Sequence, residues 1–321
     1  MKHILTALFL LSPVGVQAGQ SLDQPNKLAV GAINLDDQIT LTPAFSPDGR
    51  FAYFPQSACT QIGPCPQLLR VSEKVDGQWQ PSKPISKLNR GRVDWPSVTP
   101  DGNYLLFSWS APRDRYADLE VYEDFDLYRL DLNNPDAVPE ALDAVYGDAA
   151  DLNRPRHGSF GKLRYVHNST APVMTANGDL YFWSERFDAM GERDIFLSER
   201  QTNGTQAAAV PLPTPINSTG RDNHAWVSPE GGLMLITYSA RGGEGGADIF
   251  VSRKEGNVWS DPENLGPHLN GPAADFAAKL TPNKSEVVFT STRDGRTLQV
   301  YTLPTQILID DGVLTAADLL R

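Results

Sequence analysis

Along most of this chain, short runs of β-branched and aromatic residues alternate with polar ones, and turn residues break them at regular intervals. One such arrangement returns five times. The clear copies are Phe45-Ser-Pro-Asp-Gly-Arg-Phe-Ala-Tyr-Phe54, Val98-Thr-Pro-Asp-Gly-Asn-Tyr-Leu-Leu-Phe107 and Val227-Ser-Pro-Glu-Gly-Gly-Leu-Met-Leu-Ile236. Weaker copies are Met174-Thr-Ala-Asn-Gly-Asp-Leu-Tyr-Phe182 and Leu280-Thr-Pro-Asn-Lys-Ser-Glu-Val-Val-Phe289, and the five starts lie 53, 76, 53 and 53 residues apart. Where the unit reads Pro-Asp-Gly, proline presets φ, aspartate bonds its own backbone, and glycine accepts a positive φ, so the pattern predicts strand, tight turn, strand.

A third strand follows, seen in Asp126-Leu-Tyr-Arg-Leu, Asp194-Ile-Phe-Leu-Ser and Asp248-Ile-Phe-Val-Ser, with Leu68-Leu-Arg-Val-Ser and Leu298-Gln-Val-Tyr in the same place in units one and five. A fourth is suggested by Gly77-Gln-Trp-Gln-Pro and Asn257-Val-Trp-Ser-Asp-Pro. Four antiparallel strands per unit at a period near fifty predict an all-β chain forming a single β-propeller of five four-stranded blades, with six as the alternative count. Helical solenoids have shorter periods, and the units contain no amphipathic helix of useful length.

An apolar–Asn pair precedes every core: Ile33-Asn34, Leu88-Asn89, Leu152-Asn153, Ile216-Asn217 and Leu269-Asn270. The first pair lies ahead of unit one, while unit five runs out of chain after its third strand near Leu303. Residues 27–35 are therefore expected to supply the outer strand of the last blade, which leaves no open sheet edge.

The run Pro-x-Phe-Ser-Pro-Asp-Gly, followed by Asp-Ile-Phe, Trp-Ser-x-Pro and Leu-Asn, resembles the TolB-like, WD40-like (PD40) repeat family of bacterial envelope propellers. The resemblance covers nearly all of the chain after the leader. It implies the propeller fold and work in cell-envelope complexes. Two departures stand out: the family usually has six blades, and TolB carries a separate N-terminal domain for which the residues ahead of unit one are too few.

The N-terminus reads as a secretory leader. Met1-Lys2-His3 precedes an apolar run over residues 4–11 and then Val16-Gln17-Ala18, which predicts cleavage after Ala18 and a periplasmic or secreted protein. The division expected is a leader over 1–18, a propeller over 19–305 and a tail over 306–321. Leu314, Ala317 and Leu320 in that tail have helical spacing. No later segment is apolar enough to enter a membrane. The formal charge of −11, or −12 once Lys2 leaves with the leader, disfavours nucleic acid as a partner. The two cysteines, Cys59 and Cys65, are expected to form a disulfide that staples a loop in an oxidising compartment.

Loops joining strands two and three share one propeller face with the links between blades. Three long segments fall there: the cysteine loop (55–66), an acidic and aromatic loop (111–125) with Tyr116 and Tyr122, and a basic link (154–165). Just upstream of the cores lie Arg92, Asp94, His167, Arg221, Asp222, His224 and Asp275, which are expected to converge at the channel mouth on that face. Acidic residues repeated at one position argue for structure, since catalysis needs unique groups. The first reading is thus a non-catalytic envelope scaffold binding a protein or peptide partner, with these residues, Tyr116 and Tyr122 as its binding face, and no cofactor. The alternative is a glycoside hydrolase in which Asp94, Asp222 and Asp275 supply acid and base, making a glycan a further candidate partner. His167 and His224 with a carboxylate have no metal-ligand spacing. The chain has no Gly-x-Ser-x-Gly elbow and no Gly-x-x-x-x-Gly-Lys.

Overall fold

The computed structural model describes residues 23–60, 65–88, 91–110, 125–153, 158–160, 163–165, 168–186, 188–239, 241–295 and 297–321. Among the described residues the strands form five antiparallel groups in chain order, here called sheets one to five. Ile39–Thr40 adds to the first, a parallel contact of Gln67 with Arg92 joins the first two into one ten-stranded sheet, and Gly158–Phe160 pairs with Leu163–Tyr165 apart from them. Sheet one is Ala44–Phe45, Phe51–Ser57, Gln67–Val75 and Lys83–Pro84. Sheet two is Arg92–Val98, Tyr104–Ser110, Asp126–Asp131 and Glu140–Ala141. Sheet three is Ser169–Met174, Leu180–Ser184, Asp194–Ser198 and Val210–Pro211. Sheet four is Asp222–Val227, Leu233–Tyr238, Asp248–Glu255 and Glu263–Asn264. Sheet five is Asp275–Leu280, Glu286–Ser291 and Gln299–Pro304, with Asn26–Lys27 from the other end of the chain as its fourth strand.

The turns follow from the repeat. Gly49, Gly102, Gly178 and Gly231 all have positive φ. Unit five has no glycine there, and Lys284 takes the left-handed conformation itself, at φ 58°. The tryptophan segments do not form the outer strands. Gln78–Trp79 and Val258–Trp259 fold back on the end of the third strand, pairing Lys74 with Trp79 and Lys254 with Trp259. The outer strands come a few residues later and are only two residues long.

Short outer strands leave most of the third strand's edge unpaired, and the asparagines fill the gap. Asn153 accepts from the Leu127 amide and donates to its carbonyl. Asn217 does the same to Ile195, Asn270 to Ile249, and Asn34 to Val300. All four asparagines are buried, as is the apolar residue before each. Asn89 lies outside the described residues.

Neighbouring sheets are joined by a second repeated bond. The amide that opens the first strand donates to the carbonyl just before the previous sheet's third strand: Ser169 to Phe125, Asp222 to Arg193, and Asp275 to Ala247. Thr40 donates in the same way to Leu298, which links sheet one to sheet five. Apolar clusters fill each seam, such as Leu106, Leu127, Leu180 and Phe182 between sheets two and three.

The tail has its α-helix at Thr305–Asp310, upstream of the spacing read from Leu314, Ala317 and Leu320. Leu308 and Leu314 are buried against sheets four and five, whereas Leu320 is exposed. Buried Asp318 bonds the Arg253 guanidinium and pins the tail to sheet four.

Replacing a clamp asparagine leaves a buried amide and carbonyl without partners, at about 1–3 kcal/mol each. Asn270→Ala is expected to cost about 3 kcal/mol in urea unfolding, and Asn34→Ala, near the N-terminus, about as much.

Candidate functional site

The first strands of sheets two to five each carry a β-bulge, at Asp94/Ser97, Thr170/Val173, Asn223/Trp226 and Phe276/Lys279. One residue in each bulge is left-handed: Trp95, Ala171, His224 and Ala277. A bulge bends its strand and re-aims a side chain. Here it turns side chains toward the centre, where large and small alternate. Trp95 of sheet two and His224 of sheet four meet with ring centroids 4.1 Å apart, while the left-handed position of sheets three and five is alanine. Phe276 lies 5.8 Å from His224 and 6.1 Å from Trp95, and Trp183 is edge-on to His224 at 6.2 Å. The result is an aromatic plug across the middle of the molecule.

Hydroxyls of the preceding sheet tie the bulges down. Ser108 Oγ accepts from the Ala171 amide, Thr237 Oγ1 from Ala277, and Thr290 Oγ1 from Thr42 at the equivalent position of sheet one.

The aspartates read as channel-mouth candidates are recessed rather than open. Asp222 is buried and accepts from the amide and the hydroxyl of Ser218. Asp275 is fully buried and accepts from the Gly271 amide and the Arg293 guanidinium. Asp94 is buried and pairs with Arg92, whose guanidinium lies over the Phe125 ring. Asp222 and Asp275 stand five residues after a clamp asparagine, and each closes the loop that begins there. Burial raises the Asp222 carboxyl above its usual range, against the bonds from Ser218. Asp222 spends its acceptors within its own loop, and Asp275 on Gly271 and Arg293.

The third-strand aspartates close their own loops: Asp194 accepts from the amides of Met190 and Gly191, and Asp248 from Gly245. Arg186 is buried against Asp151 and Asp188, and Arg241 donates to the Pro215 carbonyl. Arg293, two residues past its second strand like Arg186, reaches the first-strand Asp275.

On the loop side of sheets three and four, Arg193 pairs with Glu185 and lies over the Trp183 ring. Arg221 pairs with Glu192, both well exposed, and Met190 beside them is 50% exposed. Cys59 and Cys65 form the disulfide, with Cα atoms 5.7 Å apart. His167, Tyr116 and Tyr122 lie outside the described residues. No three His, Cys, Asp or Glu among the described residues are placed to hold a metal ion. Trp95, Trp183, Phe276 and Lys279 were missed as site residues. Aligning the units would have marked Trp95 and His224, because the same column holds Thr42, Ala171 and Ala277.

No family model matches this chain, and no curated protein matches it. Among solved structures it is similar to TolB from Acinetobacter baumannii, with 15% identity, 83% of this chain and 54% of that one covered, and a TM-score of 0.46. The chain therefore spans about half the length of that protein. It is also similar to an alpha-L-arabinofuranosidase from Lactobacillus brevis, with 11% identity, 83% and 91% covered, and a TM-score of 0.49. For the putative TolB from Agrobacterium tumefaciens the figures are 15%, 83% and 91%, with a TM-score of 0.38. At this identity no site residue of those proteins transfers to this chain.

His224 is enclosed by aromatic rings, its Nδ1 has no partner among the described residues, and Arg193 and Lys279 add positive charge nearby. Burial, then those charges, push the imidazole down to about 3. A depressed folded pKa stabilises above the unfolded value near 6.5, and that stability is lost as pH falls toward the folded value. Urea unfolding at pH 4.5 and 7.5 is expected to show wild type losing up to about 2–3 kcal/mol more than His224→Phe over that interval.

Proposed function

We propose that this chain is an exported, non-catalytic scaffold whose five sheets are the blades of one closed propeller. It binds a protein or peptide partner in the cell envelope across the face that carries the links between sheets. Closure runs through Asn26–Lys27 and Asn34, which treat sheet five as Asn153, Asn217 and Asn270 treat sheets two to four. The observation that carries the reading is the chemistry of the loop face. Its buried aspartates 222 and 275 hold loops, whereas exposed Met190 stands beside the exposed Arg221–Glu192 pair. An adaptable thioether ringed by charges suits recognition of a polypeptide surface.

The charge of the chain and its disulfide support an envelope or secreted setting. Removal of a leader after Ala18 is expected to give a product that begins at Gly19, read by N-terminal sequencing of the protein from the periplasmic fraction. For the binding face, a photo-crosslinking residue placed at Met190 is expected to trap a partner in intact envelopes, and Arg221→Glu to reduce the adduct several-fold. The same group at Glu230, on the opposite face, is expected to trap none. Equal adducts from both faces would overturn the assignment.

A further inference from the structure

Beneath the aromatic plug, on the face of the Pro-Asp-Gly turns, lies a cavity of about 180 Å³. Pro47, Pro100, Pro229 and Pro282 of four turns form its rim. Its wall includes one residue from the same position of every sheet, immediately before the core motif: Ala44, Ser97, Val173, Trp226 and Lys279. The clamps repeat asparagine, and four of the five turns repeat proline. This ring of five is different in every unit. It combines a small side chain, a hydroxyl, an apolar branch, an indole and an ammonium on one cavity wall.

Lys279 is the polar centre of that ring. Its ammonium crosses from sheet five to donate to the Pro96 carbonyl of sheet two, which leaves two N–H donors for something else. No Asp or Glu lines the cavity. The other cation, Lys284, is paired with Glu230 at the rim. A half-buried ammonium facing only a neutral carbonyl costs free energy that an anion would offset.

We propose that this cavity is a binding site for a small carboxylate with an apolar body, its carboxylate on the Lys279 ammonium and its body against Trp226 and the proline rim. The volume is slightly above that of cavities that take a benzene ring, about 150 Å³, which sets the size of the body. Burial pushes the Lys279 amine down to about 7, the state expected of an ammonium whose counter-ion is not supplied by the protein. The site is on the face opposite the partner surface proposed above and does not depend on that reading.

Calorimetric titration of the full-length mature protein at pH 6.5 with benzoate, benzamide and benzylamine tests the assignment. Benzoate is expected to bind, benzamide at least tenfold more weakly, and benzylamine not at all. Lys279→Met is expected to weaken benzoate at least tenfold. Should that variant not fold, a crystal structure of the wild-type protein with benzoate is expected to place the carboxylate against Lys279 Nζ. Benzoate that binds no tighter than benzamide, that is indifferent to the variant, or that is found only elsewhere in the crystal overturns the proposal.

Discussion

The architecture depends on one side chain used four times. An outer strand of two residues cannot satisfy a third strand of five or more, and a buried amide or carbonyl without a partner is costly. The clamp asparagine solves this with a single planar amide that donates and accepts at one backbone position, which only Asn or Gln can do. Asn34 performs it on Val300, some 266 residues away. The segment around Asn26 to Asn34 is thus held to sheet five by the same local chemistry that ends each described internal unit. Nothing specialised is needed for the seam, since the first link belongs to the repeat like any other.

Much of this was legible because it repeats. Turn chemistry, third strands and the apolar–Asn pair can all be read from residue types at fixed offsets, and Asn34 ahead of unit one pointed to the pairing of the N-terminal segment with sheet five. The misread parts share a cause: two sequence signals lay close together and only geometry could separate them. The Trp79 and Trp259 segments look like outer strands, being aromatic and flanked by Pro, but they extend the third-strand hairpin. The bulges were invisible for another reason. A left-handed Trp or His has no compositional signature, and the rings of Trp95 and His224 fill the space left by Ala171 and Ala277, whose amides are held by hydroxyls of the preceding sheets.

Repetition also sorts structure from function. Asp222 and Asp275 recur at the same offset from an asparagine, and each bonds the amide four residues earlier. The column that holds Ala44, Ser97, Val173, Trp226 and Lys279 has no common chemistry, and a seam that needed one residue type would not tolerate that spread. The two faces differ accordingly. The loop face varies in length and carries ion pairs that run from the exposed Arg221–Glu192 to the recessed Arg92–Asp94 and Arg293–Asp275. The turn face is uniform at its proline rim and varied only inside, as expected of a surface that frames one small site.

The seam between sheets five and one combines apolar and polar contacts. Ile33, Ala52 and Phe54 form a buried apolar cluster beside it, and Ile39, Leu41, Val288 and Val300 are buried as well. The rest of the joint is made by polar groups. These are the amide of Thr42 on Thr290, the Thr42–Thr290 hydroxyl pair, the amide of Thr40 on Leu298, and the Lys27–Asp294 ion pair. The disulfide loop lies against the same place: the Cys59 carbonyl accepts from Ile39, and Thr297 reaches the carbonyl of Thr60. A covalent staple there restrains a loop whose backbone bonds both Ile39 and Thr297, which gives Cys59 and Cys65 a structural purpose at this seam.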